Sequence, residues 1–407
     1  MAPMYQAVLV VAFGYFVDIF DLTLLSMLRS PSLSDLGYAS TTQIEAGIFL
    51  LNTQMAGMLL GGFFWGILGD RKGRLKMLFA SILCYSIANL LNGFVQDLNT
   101  YAVLRFFSGF GLAGELGVGI TLIAEILPQK SRGLGTTTVT AIGVLGAVCS
   151  GAFVEFVTWR TAYLVGGALG LVLVLMRFRM QDSPLFTAGQ SQPKTGAKNV
   201  RWGSLRLLLG SWKLTRKYIL SAMLGLPIWC IAGILFVFSP EIARALGVLE
   251  PVVASRVIAA SYFGVSLGDL TSGLLSQLFK NRIRVIQVFM VLNFLLVAGQ
   301  LLTAAGNTAG HYYFWAGLVG FGTGYWTLFV TMGAEQFGTN LRATVATTLP
   351  NLVRGAVIPM TLIFGFLKSQ IGLLPAVQWI VGVVALTCFA GSFFLPDTFA
   401  KDLDYFD

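Results

Sequence analysis

Between residues 66 and 74 the chain reads Gly66-Ile67-Leu68-Gly69-Asp70-Arg71-Lys72-Gly73-Arg74, a tight basic turn between two apolar runs, 44–68 and 75–95. Each run is long enough to cross a hydrocarbon core as a helix, which takes about 20 residues at about 1.5 Å rise apiece. Two spanning helices joined by so short a loop have to be antiparallel neighbours. An excess of Lys and Arg places a loop on the cytoplasmic side, so this one stretch specifies both a membrane and an orientation. Composition agrees: 56% of the residues are hydrophobic and only 11% charged, where soluble domains carry about 25% charged residues. The mean hydropathy is +0.78.

The apolar runs predict an all-α membrane protein of about twelve transmembrane helices, at 7–28, 45–68, 75–95, 100–126, 134–156, 161–180, 218–239, 252–278, 284–304, 311–334, 342–366 and 375–395. With both termini cytoplasmic, the inner loops collect Arg71, Lys72, Arg74, Lys76, Lys130, Arg132, Arg177, Arg179, Lys280, Arg282, Arg284, Arg342 and most of a basic cluster in 194–217. The outer loops hold only Arg29, Arg160, Arg244, Arg256 and Lys368. The net charge of +9 therefore reflects positive-inside topology in a lipid bilayer and calls for no nucleic-acid partner. Cys84, Cys149, Cys230 and Cys388 fall inside predicted spans without a CxxC pair or Cys/His cluster, so they read as small apolar residues and no metal or cofactor is expected. The first apolar run is too long for a signal-peptide core and reads as a retained span. Short loops suggest a monomer in a bacterial inner membrane.

The hydrophilic stretch 181–217 divides the chain into an N-terminal six-helix bundle (1–180), a cytoplasmic linker (181–217) and a C-terminal six-helix bundle (218–407). The bundles echo each other. Ala124-Glu125 followed by Arg132 recurs as Ala334-Glu335 followed by Arg342, at a constant offset of 210 (334 − 124 and 342 − 132). A weaker echo sets Leu267-Gly268-Asp269 against Leu60-Gly61-Gly62, and the basic turn against Lys280-Asn281-Arg282-Ile283-Arg284. Duplicated halves around a midplane site are a transporter signature.

An ionisable residue at bilayer depth costs several kcal/mol unless it is paired or hydrated, so it marks a functional site by default. Asp18 and Asp21 lie within the first span, close to one helical face. Asp21 lies about 21 Å from the cytoplasmic end of its span, and Arg105 about 9 Å from the opposite end of its own. In a core about 30 Å thick these depths coincide, so an Asp21–Arg105 ion pair is expected, as a static packing contact or as part of a site. Asp18, the spare acid, then suits reversible protonation, with Asp21 and Glu115 as further candidates. Arg354, with Asn351 a turn earlier, falls near mid-membrane. Its fork of donors suits an anionic ligand, or else it pairs with Asp269. Among many aromatics that serve packing, Trp229, Tyr325 and Trp326 are pocket candidates, the last two because Gly320, Gly322 and Gly324 thin their helix. His311 reads as an interfacial residue.

The 66–74 turn resembles the signature between the second and third spans of the major facilitator superfamily, and the two-block layout extends that likeness over essentially the whole chain. Asp18-Ile19-Phe20-Asp21 and Arg105-Phe106-Phe107-Ser108-Gly109-Phe110-Gly111-Leu112-Ala113-Gly114-Glu115 are similar to segments of its aromatic-acid and metabolite:proton symporters. Trp159-Arg160, Asp182-Ser183-Pro184 and Leu395-Pro396-Asp397-Thr398 resemble junctions shared with sugar and organic-ion porters. The resemblance implies that Asp70 and Arg74, with Arg71 beside them, join Glu125 and Arg132 in a cytoplasmic gate. By internal symmetry Glu335 and Arg342 would serve in the second half, although Gln277 stands where Asp70 would map. The expected function is proton-coupled import of a small organic anion, a carboxylate, by alternating access. Two alternatives stand beside it. One is an efflux antiporter, disfavoured because 139–157 lacks proline; the other is a sensor that binds without transporting. No nucleophile–base pair or phosphate loop points to an enzyme.

Overall fold

The computed structural model describes residues 2–72, 74–115, 132–177 and 205–399, and their side chains outside 2–7, 69–75, 132–138, 141, 177, 205–206, 339–340 and 343. The first part holds α1 (Ala2–Asp35), α2 (Gln43–Lys72), α3 (Arg74–Asn92), α4 (Leu98–Leu112), α5 (Arg132–Phe153) and α6 (Trp159–Arg177). The second holds α7 (Leu205–Gly210), α8 (Trp212–Cys230), a π-helical segment (Ile231–Phe236), α9 (Ser239–Ala245) and α10 (Ala254–Leu278). It continues with α11 (Arg282–Thr303), α12 (Ala309–Thr323), α13 (Trp326–Glu335), α14 (Thr339–Gly355), α15 (Val357–Ile371) and α16 (Leu373–Ser392).

Helix starts follow local chemistry. Asp97 accepts from the Thr100 N–H at 2.9 Å at the head of α4, and Asn281 from the Arg284 N–H at 2.9 Å at the head of α11; both satisfy donors the helix leaves open. Among the described residues, eight helical segments are long and apolar enough to cross a membrane. Three predicted spans are discontinuous. The one over 311–334 is cut at Gly324 and Tyr325 into helices of 15 and 10 residues, each too short to count alone. The one over 342–366 is interrupted at Ala356, and the one over 218–239 passes from α8 into the π segment at Ile231, four residues after Pro227, which cannot donate a backbone hydrogen bond. The first helix runs on to Asp35, so Arg29 is a buried helical residue and not the loop charge the apolar pattern suggests.

The packing is duplicated. Helix α2 crosses α4 as α10 crosses α12. At the first crossing Gly57 and Gly61 sit against the Phe106 and Phe110 backbone; at the second Gly264 and Gly268 sit against that of Gly317 and Phe321. A Cβ on any of these four glycines would come within 2.3 Å of a backbone oxygen, so only glycine permits the approach. The two sets are related by a constant offset of 207 (264 − 57 and 268 − 61). Between the halves, α2 lies along α14 and α15, and α10 lies along α5 in the mirrored arrangement. A space remains between α1, α8, α10, the π segment and α14.

Candidate functional site

Arg354, on the penultimate residue of α14, is 1% exposed. Its Nη1 donates to Asn351 Oδ1 at 3.3 Å, and its guanidinium lies 5.3 Å from the Trp229 ring centre and 5.6 Å from that of Trp326. No carboxylate lies within ion-pair distance of it among the described residues. The alternative pairing with Asp269 is therefore not made, although both residues line the same cavity. Trp229, Trp326, Tyr15 and Tyr262 complete much of its wall. Indole faces attract a guanidinium without satisfying its donors, so the cation is sheltered but available to an acceptor.

The pocket expectations divide. Trp326, at the first position of α13, and Trp229 line the cavity. Tyr325 is fully buried away from it, its ring packed on Phe289. The reason is the break before α13, which turns successive side chains in different directions. Asn351 positions Arg354 and fastens α14 to the first half, donating to Ala113 O at 3.1 Å beside Gly62. His311 accepts from the Trp315 indole N–H at 3.0 Å near the start of α12, away from this space.

Arg105 is not part of the cavity wall. It donates to Asn89 Oδ1 and its guanidinium stacks 4.4 Å from the centre of the Tyr163 ring. The expected direct Asp21–Arg105 ion pair is corrected here: Asn89 stands between them, bonded to Arg105 and approaching Asp21, which stays within electrostatic reach of the arginine. An amide from α3 takes the arginine's donor in place of the carboxylate. Gly166 of α6 makes room for Asp21, whose Oδ1 would be 2.1 Å from a Cβ there. Asp18 and Glu115 are buried as well. Asp18 and Arg354 both lie within electrostatic reach of Tyr15, so the acids of α1 adjoin the cavity through that residue.

Of the gate residues, Glu125 and the side chains of Asp70, Arg71, Arg74 and Arg132 lie outside the described residues. Glu335 takes Arg282 as its ion-pair partner at 2.5 Å, within the second half, with Arg342 nearby. Gln277 is exposed. The acid missing there is supplied from the chain's end, since Asp397 Oδ1 accepts from the Arg282 and Ile283 N–H groups at 2.7 and 3.0 Å.

The opposite end of the bundle carries residues the sequence reading did not single out. Arg29 forms a two-pronged bond to Glu241 at 2.6 and 2.8 Å, lies 4.7 Å from the Phe238 ring centre, and donates to Gln43 O and Val237 O. Arg256 bonds both oxygens of Glu155 at 2.8 and 3.1 Å, and Lys368 approaches Glu45 at 3.9 Å. All three join the first half to the second. Arg256 holds the Glu155 carboxyl below the usual glutamate range. The sequence clue was present in Arg29, a basic residue just beyond an apolar run.

A family model described as Major Facilitator Superfamily matches residues 11–350. A protein named as a probable 4-methylmuconolactone transporter of Cupriavidus pinatubonensis is 26% identical over 406 residues, covering 95% of this chain and 89% of that protein. The cis,cis-muconate transport protein of Acinetobacter baylyi is 29% identical over 51% of this chain and 50% of its own. Two further relatives, from Bacillus subtilis and Haemophilus influenzae, are 30% identical, and the chain spans only 37% and 47% of their length. Among solved structures, the xylose transporter XylE from E. coli in a partially occluded inward open conformation has a TM-score of 0.74 at 14% identity. That likeness covers 99% of this chain and all of the other, and shows the shared fold.

Proposed function

The chain belongs to the major facilitator superfamily, and from that premise we propose that it is a proton-coupled symporter importing a small organic anion, a carboxylate, by alternating access. The carrying observation is Arg354, buried on the wall of a cavity between the halves and without a carboxylate partner among the described residues. A buried unpaired cation is costly, and an anion entering the cavity supplies the missing charge through charge-assisted hydrogen bonds. The relatives named as transporters of muconate and a methylmuconolactone fit a carboxylate or a closely related metabolite. In this reading Asp18, Asp21 and Glu115 are the proton-coupling acids of the first half, Arg105 sets the charge around Asp21, and the basic end is cytoplasmic. Asp70, Arg71, Arg74, Glu125, Arg132, Glu335 and Arg342 form the cytoplasmic gate, and one chain in an inner membrane suffices.

The test is uptake by protein reconstituted in liposomes under an imposed pH gradient, with cis,cis-muconate, niacin, a neutral sugar and an organic cation as cargo. The expected result is accumulation of an anion, lost on Arg354→Gln. Accumulation of only the sugar or the cation would overturn the anion reading, and accumulation that ignores the gradient would overturn proton coupling.

A further inference from the structure

Asp269 faces Arg354's cavity from α10, 7% exposed, and was considered in sequence only as a partner for that arginine. Its position is fixed by a close helix approach in the second half. Gly268, the preceding residue, meets the Gly324 Cα at a distance that leaves no space for a side chain. Gly324 opens the break before α13, so Asp269 arrives directly at that helix's first turn. There its Oδ1 accepts from the Thr327 N–H at 3.1 Å and its Oδ2 from the Thr327 hydroxyl at 3.2 Å. The helix start favours a negative group. No cation lies within ion-pair distance of Asp269 among the described residues.

The ionisable groups around it are few. Tyr15 of α1 is within electrostatic reach of Asp269, Asp18 and Arg354 alike; Tyr262 lies two turns earlier on α10; Arg354 faces in from α14. The lining residues from α5, α8, the π segment, α12 and α13, among them Val144, Ile228, Ala232, Thr323 and Trp326, carry no charge. The wall thus holds one cation and one carboxyl, whose charges cancel when both are ionised. An anion bound to Arg354 adds a negative charge to a low-dielectric space, where an uncompensated charge is strongly disfavoured. One proton on Asp269 restores neutrality.

We infer that Asp269 is a proton-binding residue of this cavity, and that its protonation accompanies the binding of an anion at Arg354. The inference rests on the anion reading above and adds a coupling acid in the half opposite Asp18 and Asp21. The proton passes from water to Oδ2. The Thr327 hydroxyl, which donates to that oxygen in the carboxylate form, rotates to accept from it in the acid form, while Oδ1 keeps the backbone N–H. The first turn of α13 is then held by a neutral group in place of an anion. Proton and cargo binding both act on the start of this broken helix.

Infrared titration of the full chain in lipid nanodiscs tests the proton site directly. A protonated-carboxyl band that titrates in the wild type should vanish in Asp269→Asn and persist in Asp18→Asn, Asp21→Asn and Glu115→Gln. Asn at 269 keeps an acceptor for the Thr327 N–H, so the fold is preserved. Thr327→Val, isosteric but without the hydroxyl, should keep the band and move its midpoint. A full set of bands in Asp269→Asn overturns the assignment. The linkage is read by adding benzoate as probe anion in weakly buffered solution: about one proton taken up per anion bound, falling at least twofold in Asp269→Asn. Unchanged proton uptake in that variant overturns the linkage. If benzoate, niacin and cis,cis-muconate all fail to bind the wild type, the anion reading falls and the linkage with it, while the infrared result still decides whether Asp269 holds a proton.

Discussion

A guanidinium flanked by the indoles of Trp229 and Trp326 is held by forces that an incoming carboxylate does not have to break. Replacing Arg354 with Lys keeps the charge but removes the fork that grips both oxygens of a carboxylate. Losing one charge-assisted bond of about 1.5–3 kcal/mol should weaken anion binding by roughly 10- to 150-fold, measured by equilibrium binding to purified protein whose melting temperature is retained. At Gly166, alanine would push a methyl into the Asp21 carboxylate. Overpacking of this kind costs about 1–3 kcal/mol; Gly166→Ala should melt several degrees lower, with much of the loss recovered in an Asp21→Ala background. If the double variant is no more stable than the single, the contact is not the cause. Arg354, Asp18 and Asp21 were legible in the sequence because a charge inside an apolar run announces itself. Asn89 was not, because a neutral amide gives no such signal and only helix rotation shows that it faces Arg105. Asp269 had a clue: the duplicated motif carries a carboxylate where the first copy has Gly62.

Among the elements, the apolar runs foretold most helices because length and hydropathy alone set a span. Their interruptions were harder to read. Gly324 and Tyr325 break one helix in the middle of an apolar run, where composition shows no polar loop. The glycines at the helix crossings carry the shared architecture of the halves. Gly61→Ala and Gly268→Ala are expected to behave alike structurally, each prising apart one crossing and lowering the melting temperature. They should differ functionally: only Gly268→Ala displaces Asp269, so it should also alter proton binding in the infrared titration. Equal effects on that titration would mean that the crossing does not position the acid.

Across the whole molecule, the ion pairs Arg29–Glu241, Arg256–Glu155 and Lys368–Glu45 tie the halves at the end away from the basic loops. The first is the most sheltered, its side chains 2% and 15% exposed. Removing one member of a buried pair costs about 3–5 kcal/mol because the other charge stays behind. Glu241→Gln should therefore favour separation of the halves there. Ser26, which lines a space beside α1 and the π segment, provides a reporter. In a background without the native cysteines, Ser26→Cys should react at least tenfold faster with an impermeant maleimide once Glu241 is Gln. An unchanged rate would mean that this pair does not hold the end closed. Glu155 adds a pH response. Its carboxyl titrates below the usual range because Arg256 stabilises the anion. The pair's contribution is present above the ordinary glutamate pKa and is lost as pH falls through the lowered value. Expressed relative to a free thiol at the same pH, since the reactive thiolate itself declines in acid, labelling should accelerate in acid, and Glu155→Gln should blunt that acceleration.

The π segment Ile231–Phe236 lies between these two regions of the chain. Trp229 and Ala232 face the cavity, whereas Val237, Phe238 and Glu241 hold Arg29. A π turn holds one residue more than an α turn, and one residue is about 100° of rotation on an α-helix. The segment is thus a stored quarter-turn of slack between cargo and clasp. If it were drawn out into regular α-helix, Glu241 would swing away from Arg29 with no change to the helix before it, so one helix could carry news of an occupied cavity to the far end of the molecule.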